Sequence, residues 1–199
     1  DLSILLKEKF SNEITIINED VLKVYENKVS KEKLTVFGNL PYNISTEILS
    51  RWIVNLGKDF WFESLVLMFQ KEVAERIIAE VDTSKYGRLS ILSNWKLNIE
   101  KIIDIKPQSF SPQPKIDSSL LLFTPKKKIF KINNAKNLEM ITRIFFSQRR
   151  KMIKKPFSQI FKNTESISKK FNIDLNLRPQ NLSPETYYRL TEEYENLRS

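Results

Sequence analysis

Val36-Phe37-Gly38-Asn39-Leu40-Pro41-Tyr42-Asn43-Ile44-Ser45-Thr46 carries an apolar strand straight into a turn that holds an amide, a proline and an aromatic ring. Leu34-Thr35-Val36-Phe37 is β-branched and aromatic, the composition of a buried strand, and Pro41 stops the hydrogen-bond ladder and presets the backbone after it. Asn39 and Tyr42 are thus expected at a strand's carboxyl end, the edge of an open α/β sheet where ligands bind. An amide oxygen accepts a hydrogen bond from an exocyclic N–H while a phenol ring stacks on the base that carries it. Such a pair suits methyl transfer to N6 of adenine, whose lone pair is delocalised into the ring until acceptors draw the amine towards a tetrahedral shape. Orientation then supplies most of the acceleration. A plain proline turn with a packed tyrosine is the competing reading of the same residues.

On either side, strands and helices alternate, as in an α/β fold. Leu2, Ile4, Leu5 and Phe10 have helical spacing, and Ile14-Thr15-Ile16-Ile17 reads as a buried strand ending at Asn18-Glu19-Asp20, with Val21 next. A helix is expected over 45–56, with Ser45 as cap and Gly57 as stop. Leu65-Val66-Leu67-Met68-Phe69 is a third buried strand, and Gln70-Lys71-Glu72 opens a helix from it. The segments 99–105 and 119–123 are the last two strands. Between them runs Ser109-Phe110-Ser111-Pro112-Gln113-Pro114-Lys115-Ile116-Asp117-Ser118, a loop that two prolines stiffen. It presents Phe110 either to the core or to a flipped base from the side opposite Tyr42.

The totals exclude much chemistry. With no cysteine and no histidine among 199 residues there are no disulfides, thiol nucleophiles, Cys/His metal sites or histidine triads. No metal is expected, and no apolar run approaches the roughly 20 residues of a membrane span. Absence of cysteine fits a reducing cytoplasm. The charge of +9 is uneven: 126–170 carries fourteen Lys and Arg against Glu139 and Glu165, a net +12, which leaves −3 for the rest. A basic block beside a mildly acidic part suits a polyanion, because neutralised phosphates release counterions; a merely solvated lysine-rich surface is the alternative. That block opens with a basic hinge over 126–134 and continues into a tail of helical spacing, where Leu138, Ile141, Ile144, Phe145 and Phe146 form an apolar face. Arg149, Arg150, Lys151, Lys154 and Lys155 follow at once, and Ser183-Pro184 starts the last helix.

Asn39-Leu40-Pro41-Tyr42 followed by Asn43-Ile44-Ser45-Thr46 resembles the signature of the ribosomal RNA adenine dimethyltransferases. The stretch 109–118 is close to their pattern Phe-x-Pro-x-Pro-Lys-Val-Asp-Ser, and Gln70-Lys71-Glu72 and Tyr86-Gly87-Arg88-Leu89-Ser90 match in order and distance. The resemblance implies a class I, Rossmann-like methyltransferase domain over 1–125, the hinge 126–134, and a small helical RNA-binding domain over 135–199. It implies transfer from S-adenosylmethionine to N6 of two adjacent adenines in a hairpin loop near the 3′ end of small-subunit ribosomal RNA, by a monomer acting on immature small subunits in the cytoplasm. Asp20, with Val21, would hold the cofactor's adenine, and Asn39 would face both cofactor and target. Leu40 and Pro41 would offer backbone acceptors, Tyr42 and Phe110 would stack on the base, and Lys115 with the 149–155 cations would meet RNA phosphates.

One family feature has no counterpart. The three glycines, Gly38, Gly57 and Gly87, form no Gly-x-Gly turn, and Asp1-Leu2-Ser3-Ile4-Leu5 resembles a helix that the family places after its first two strands. The expectation is an N-terminally truncated domain lacking those strands, inactive and unstable by itself. Rivals that share the motif are the large-subunit dimethyltransferase of macrolide resistance, a non-catalytic RNA-binding assembly or transcription factor on the same fold, and a DNA adenine methyltransferase. Leu40 and the tail lean towards the small-subunit enzyme.

Overall fold

The computed structural model describes residues 2–10, 13–24, 29–57 and 59–198. They fall into two compact units, Asp1–Glu32 and Lys33–Ser199. Asp1, the first residue of the stretch compared with the family helix, lies outside the described residues.

In the first unit Leu2–Phe10 forms helix α1, as its spacing predicts, with no residue buried. The apolar run Ile14–Ile17 is not the expected buried strand. It is unpaired, and Ile14 and Ile17 are exposed. A β-branched run becomes a strand only where another backbone completes its hydrogen bonds, and none does so here among the described residues.

The second unit holds β1 (Leu34–Asn39), α2 (Ser45–Asn55), β2 (Phe62–Gln70), α3 (Lys71–Ile77), α4 (Arg88–Lys96), β3 (Leu97–Ile105) and β4 (Ser118–Pro125). The strands form one sheet in the order β1-β2-β4-β3; β1 pairs parallel with β2, and β4 is antiparallel to both its neighbours. The carboxyl ends of β1, β2 and β3 therefore lie on the same sheet edge as the start of β4, which is where the loops that matter emerge. β2 is flanked on both sides and buries Leu65, Leu67, Met68 and Phe69, so its apolar run is nearly continuous. β1 is a strand as expected but is covered on one face: Leu34, Val36 and Gly38 are half-buried while Phe37 is 78% exposed, and among the described residues β1 pairs with β2 alone.

Helix α2 begins at Ser45 itself, one residue earlier than a Ser45 cap implies. Ile44 occupies the cap position, and the Ser45 hydroxyl instead donates back to the Tyr42 carbonyl at 3.1 Å. The helix also ends at Asn55, before Gly57, because Leu56 already turns extended. The tail forms α5 (Ala135–Phe146), α6 (Lys154–Ile160), α7 (Thr164–Lys170) and α8 (Pro184–Asn196). Leu138, Ile141 and Phe145 of α5 are fully buried, and Ser183 caps α8 by accepting from Thr186 N at 3.1 Å. Tyr188 donates its hydroxyl to the Ile91 carbonyl of α4, and Tyr86 donates to Leu182. Burial pushes both phenols, and that of Tyr187, above their ordinary pKa.

Candidate active site

The turn after β1 is tied before any ligand arrives. Ile44 N donates to the Pro41 carbonyl at 3.1 Å, and Ser45 holds the Tyr42 carbonyl, so 41–45 is a closed corner leading into α2. Leu40 is buried beneath it, while Asn39 is exposed and its side chain makes no hydrogen bond among the described residues. Both amide groups are therefore available to a ligand. The Pro41 carbonyl keeps one lone pair.

Across from this corner stands the proline-stiffened loop between β3 and β4. Asn39, Leu40, Pro41 and Tyr42 line an open cleft of about 400 Å³ together with Phe110, Ser111, Pro112 and Pro114. Two stretches some 70 residues apart in the chain thus meet at the sheet edge, with Tyr42 and Phe110 both half-buried in the lining of one cleft. Lys115 is exposed on the same loop.

Behind the cleft lies a polar frame that the sequence did not mark as functional. The Tyr42 hydroxyl is 2.6 Å from Ser118 Oγ, and Ser118 is fully buried. Lys71 N donates to the Asp117 carbonyl at 2.9 Å, and the Lys71 ammonium lies 3.2 Å from Asp104 and 3.8 Å from Asp117. Hydrogen bonds from Ser119 and Lys71 hold the Asp104 carboxyl down to about 2, and Asp104 in turn raises the pKa of Lys71. Lys71 and Ser118 stand inside stretches that the sequence already singles out, but their pairing needs the strand order, which local patterning does not supply.

In the first unit, Asp20 is exposed and closes a turn: Leu22 N donates to its Oδ1 at 2.9 Å and Lys23 N to its carbonyl at 2.7 Å. The structural role considered for this carboxylate is therefore present, and the other oxygen remains able to accept from an adenine amine. Val21 is half-buried in the same turn. These donor and acceptor types fit the adenine end of S-adenosylmethionine.

The tail cations divide. Arg150, Lys151, Lys154 and Lys155 line a groove of about 890 Å³ together with Arg178, and Met152, 57% exposed, lies among them. Arg149 points elsewhere: its guanidinium donates to the Thr83 carbonyl at 3.1 Å and to Gln180 at 3.2 Å, and it lines a different cleft with Arg76, Lys85 and Arg88. Arg178 was not singled out in the sequence because it stands alone, eight residues past the end of the basic block 126–170.

Comparison with known proteins bears on the whole chain. The family model described as ribosomal RNA adenine dimethylase matches residues 1–196. A Pelagibacter ubique protein named ribosomal RNA small subunit methyltransferase A is 71% identical over 198 residues, which span all of this chain and 76% of that protein. One of the same name from Ehrlichia ruminantium is 41% identical over 90% of this chain and 67% of its own length. Among solved structures, a dimethyladenosine transferase from Plasmodium falciparum superposes with a TM-score of 0.74 at 25% identity, covering 97% of this chain and 76% of that one. The 23S rRNA methyltransferase ErmE, at 20% identity, shares the fold with a TM-score of 0.65 over 98% of this chain and 78% of its own.

Proposed function

The chain belongs to the ribosomal RNA adenine dimethylase family, and from that premise we propose how its residues carry out the reaction. It is a methyltransferase of the class I fold that dimethylates adenine in small-subunit ribosomal RNA. We take the substrate as two adjacent adenines of a hairpin loop near the 3′ end, met on immature small subunits by a monomer in the cytoplasm. Among the described residues no helix is long and apolar enough to cross a membrane.

The cleft between the Asn39–Tyr42 corner and the Phe110 loop carries this reading. A flipped adenine enters between the two rings, which bracket its faces and exclude water. Asn39 Oδ1 and the carbonyls of Leu40 and Pro41 accept from the N6 amine, drawing it out of the plane of the ring and freeing its lone pair. No side chain need ionise. S-adenosylmethionine, when bound, supplies an electrophilic methyl group; Asp20 and Val21 would hold its adenine and Asn39 would face its reactive end. In functional terms the chain divides at the basic hinge 126–134, with the methyltransferase part over 1–125 and the helical RNA-gripping part over 135–199. Arg150, Lys151, Lys154 and Lys155 take RNA phosphates in the groove, and Lys115 meets them beside the cleft.

The test is methyl transfer to small subunits that lack the modification, by the protein and by Asn39→Ala. Removing acceptors that act mainly in the transition state should lower kcat by about 100-fold or more with RNA affinity kept. Near-normal transfer by Asn39→Ala would instead favour a binding role for this surface.

A further inference from the structure

Two rings can bracket a base only if the gap between their planes is held, and a tyrosine ring pivots about two torsions at its Cα end. Its hydroxyl, at the far end of the ring, is where a single bond most restrains that rocking. In this protein the Tyr42 hydroxyl meets Ser118 Oγ at 2.6 Å.

Ser118 is an unusual anchor. It is fully buried and is the first residue of β4, paired on one side with Gln70 at the end of β2 and on the other with Ile105 at the end of β3. The chain directly before it is the loop that carries Phe110. Its neighbour Asp117 is held by Lys71 N at 2.9 Å and by Lys106 at 3.1 Å, and Ser119 Oγ donates to Asp104 at 2.7 Å. The residue that grips the first ring is therefore also the fixed root of the loop bearing the second.

We infer that Ser118 is a positioning residue for the reaction: through its hydroxyl it sets the tilt of Tyr42 relative to Phe110 and so the width of the slot for the target adenine. This role rests on the assignment of the cleft to that adenine. Ser118 touches neither substrate nor cofactor. Its loss acts on the reactive geometry of the bound base and not on the grip on RNA made elsewhere, so kcat falls while KM for RNA holds.

The experiment compares Ser118→Ala, Tyr42→Phe and the double variant of the full-length protein in methyl transfer to unmodified small subunits, with Asn39→Ala alongside. Each single variant should lose about three- to tenfold in kcat, the range of one neutral hydrogen bond, with KM for RNA within about twofold. The double variant should lose no more than either, because both remove the same bond. Ser118→Thr, which keeps the hydroxyl, should restore most of the rate. A hairpin with 2-aminopurine in place of the target adenine should show weaker stacking quench with both single variants. Losses that multiply in the double, or a normal kcat in Tyr42→Phe, would overturn the role even if Ser118→Ala fails to fold. If Asn39→Ala is inactive while Tyr42→Phe is normal, only the positioning role falls; if Asn39→Ala transfers normally, the assignment of the cleft falls and takes the role with it.

Discussion

Gly38 precedes the Asn39–Tyr42 corner and shows how tightly single residues are held there. A β-carbon at this position would meet Leu67 Cδ2 at 2.7 Å and Leu40 Cδ2 at 3.2 Å. Leu67 is fully buried in β2, and Leu40 carries the backbone next to Asn39, so neither can yield without moving the core or the site. Gly38→Ala should destabilise the protein by about 1–3 kcal/mol, the usual effect of overpacking, and lower methyl transfer beyond what the unfolded fraction explains. Urea unfolding beside activity at matched folded protein would measure both. At this scale the groups that face the cleft were legible in the sequence, because Asn39, Tyr42 and Phe110 each stand in a stiff proline-bearing stretch. Ser118 was not, since its bond to Tyr42 spans 76 positions and depends on β4 lying beside β2.

Elements were legible where a neighbour completes them. The runs of β2 and β4 are strands because each has strands on both sides, whereas Ile14–Ile17, with the same composition, is unpaired among the described residues. The end of α2 is completed by a group that spacing does not reveal. Lys96, only 6% exposed, reaches from the last turn of α4 to donate to the carbonyls of Ile53 at 3.2 Å and Leu56 at 2.5 Å, over the Trp95 ring. Burial lowers its pKa to about 8, from 10.5. A neutral amine still has two N–H donors, so both bonds survive deprotonation. Between pH 8 and about 9 the unfolded chain binds a proton that the folded one has released, and Lys96 makes stability rise with pH across that window. Closer to pH 10 the buried phenols of Tyr86, Tyr187 and Tyr188, whose pKa burial raises, act in the opposite direction. Lys126, also lowered by burial, acts in the same direction as Lys96. Lys96→Met should flatten the rise, as read from the difference in denaturant midpoint between parent and variant at pH 8 and 9. The same pH dependence in both would mean that Lys96 stays charged in the fold.

Over the whole molecule, the charge count marks out the region proposed to grip RNA but does not sort its members. The excess of +12 over 126–170 includes Arg149 and Arg150, adjacent in sequence and equivalent by composition. In the fold Arg150 opens onto the groove with Lys151, Lys154, Lys155 and Arg178, while Arg149 ties the turn after α5 to Thr83 and Gln180. The two should therefore fail differently. Each phosphate contact releases counterions, so losing one lowers the slope of log affinity against log salt by about 0.7–0.9. Arg150→Ala should shift that slope by about this amount and leave the unfolding midpoint nearly unchanged, because an exposed side chain contributes little to stability. Arg149→Ala should do the reverse, giving up about 0.5–1.5 kcal/mol with two hydrogen bonds, one exposed and one part-buried, and little change in slope. Binding of a small-subunit RNA hairpin from 50 to 300 mM salt, read beside thermal unfolding of the same variants, separates the two roles. Equal slope changes would place Arg149 on the RNA as well, and with it the cleft shared by Arg76, Lys85 and Arg88.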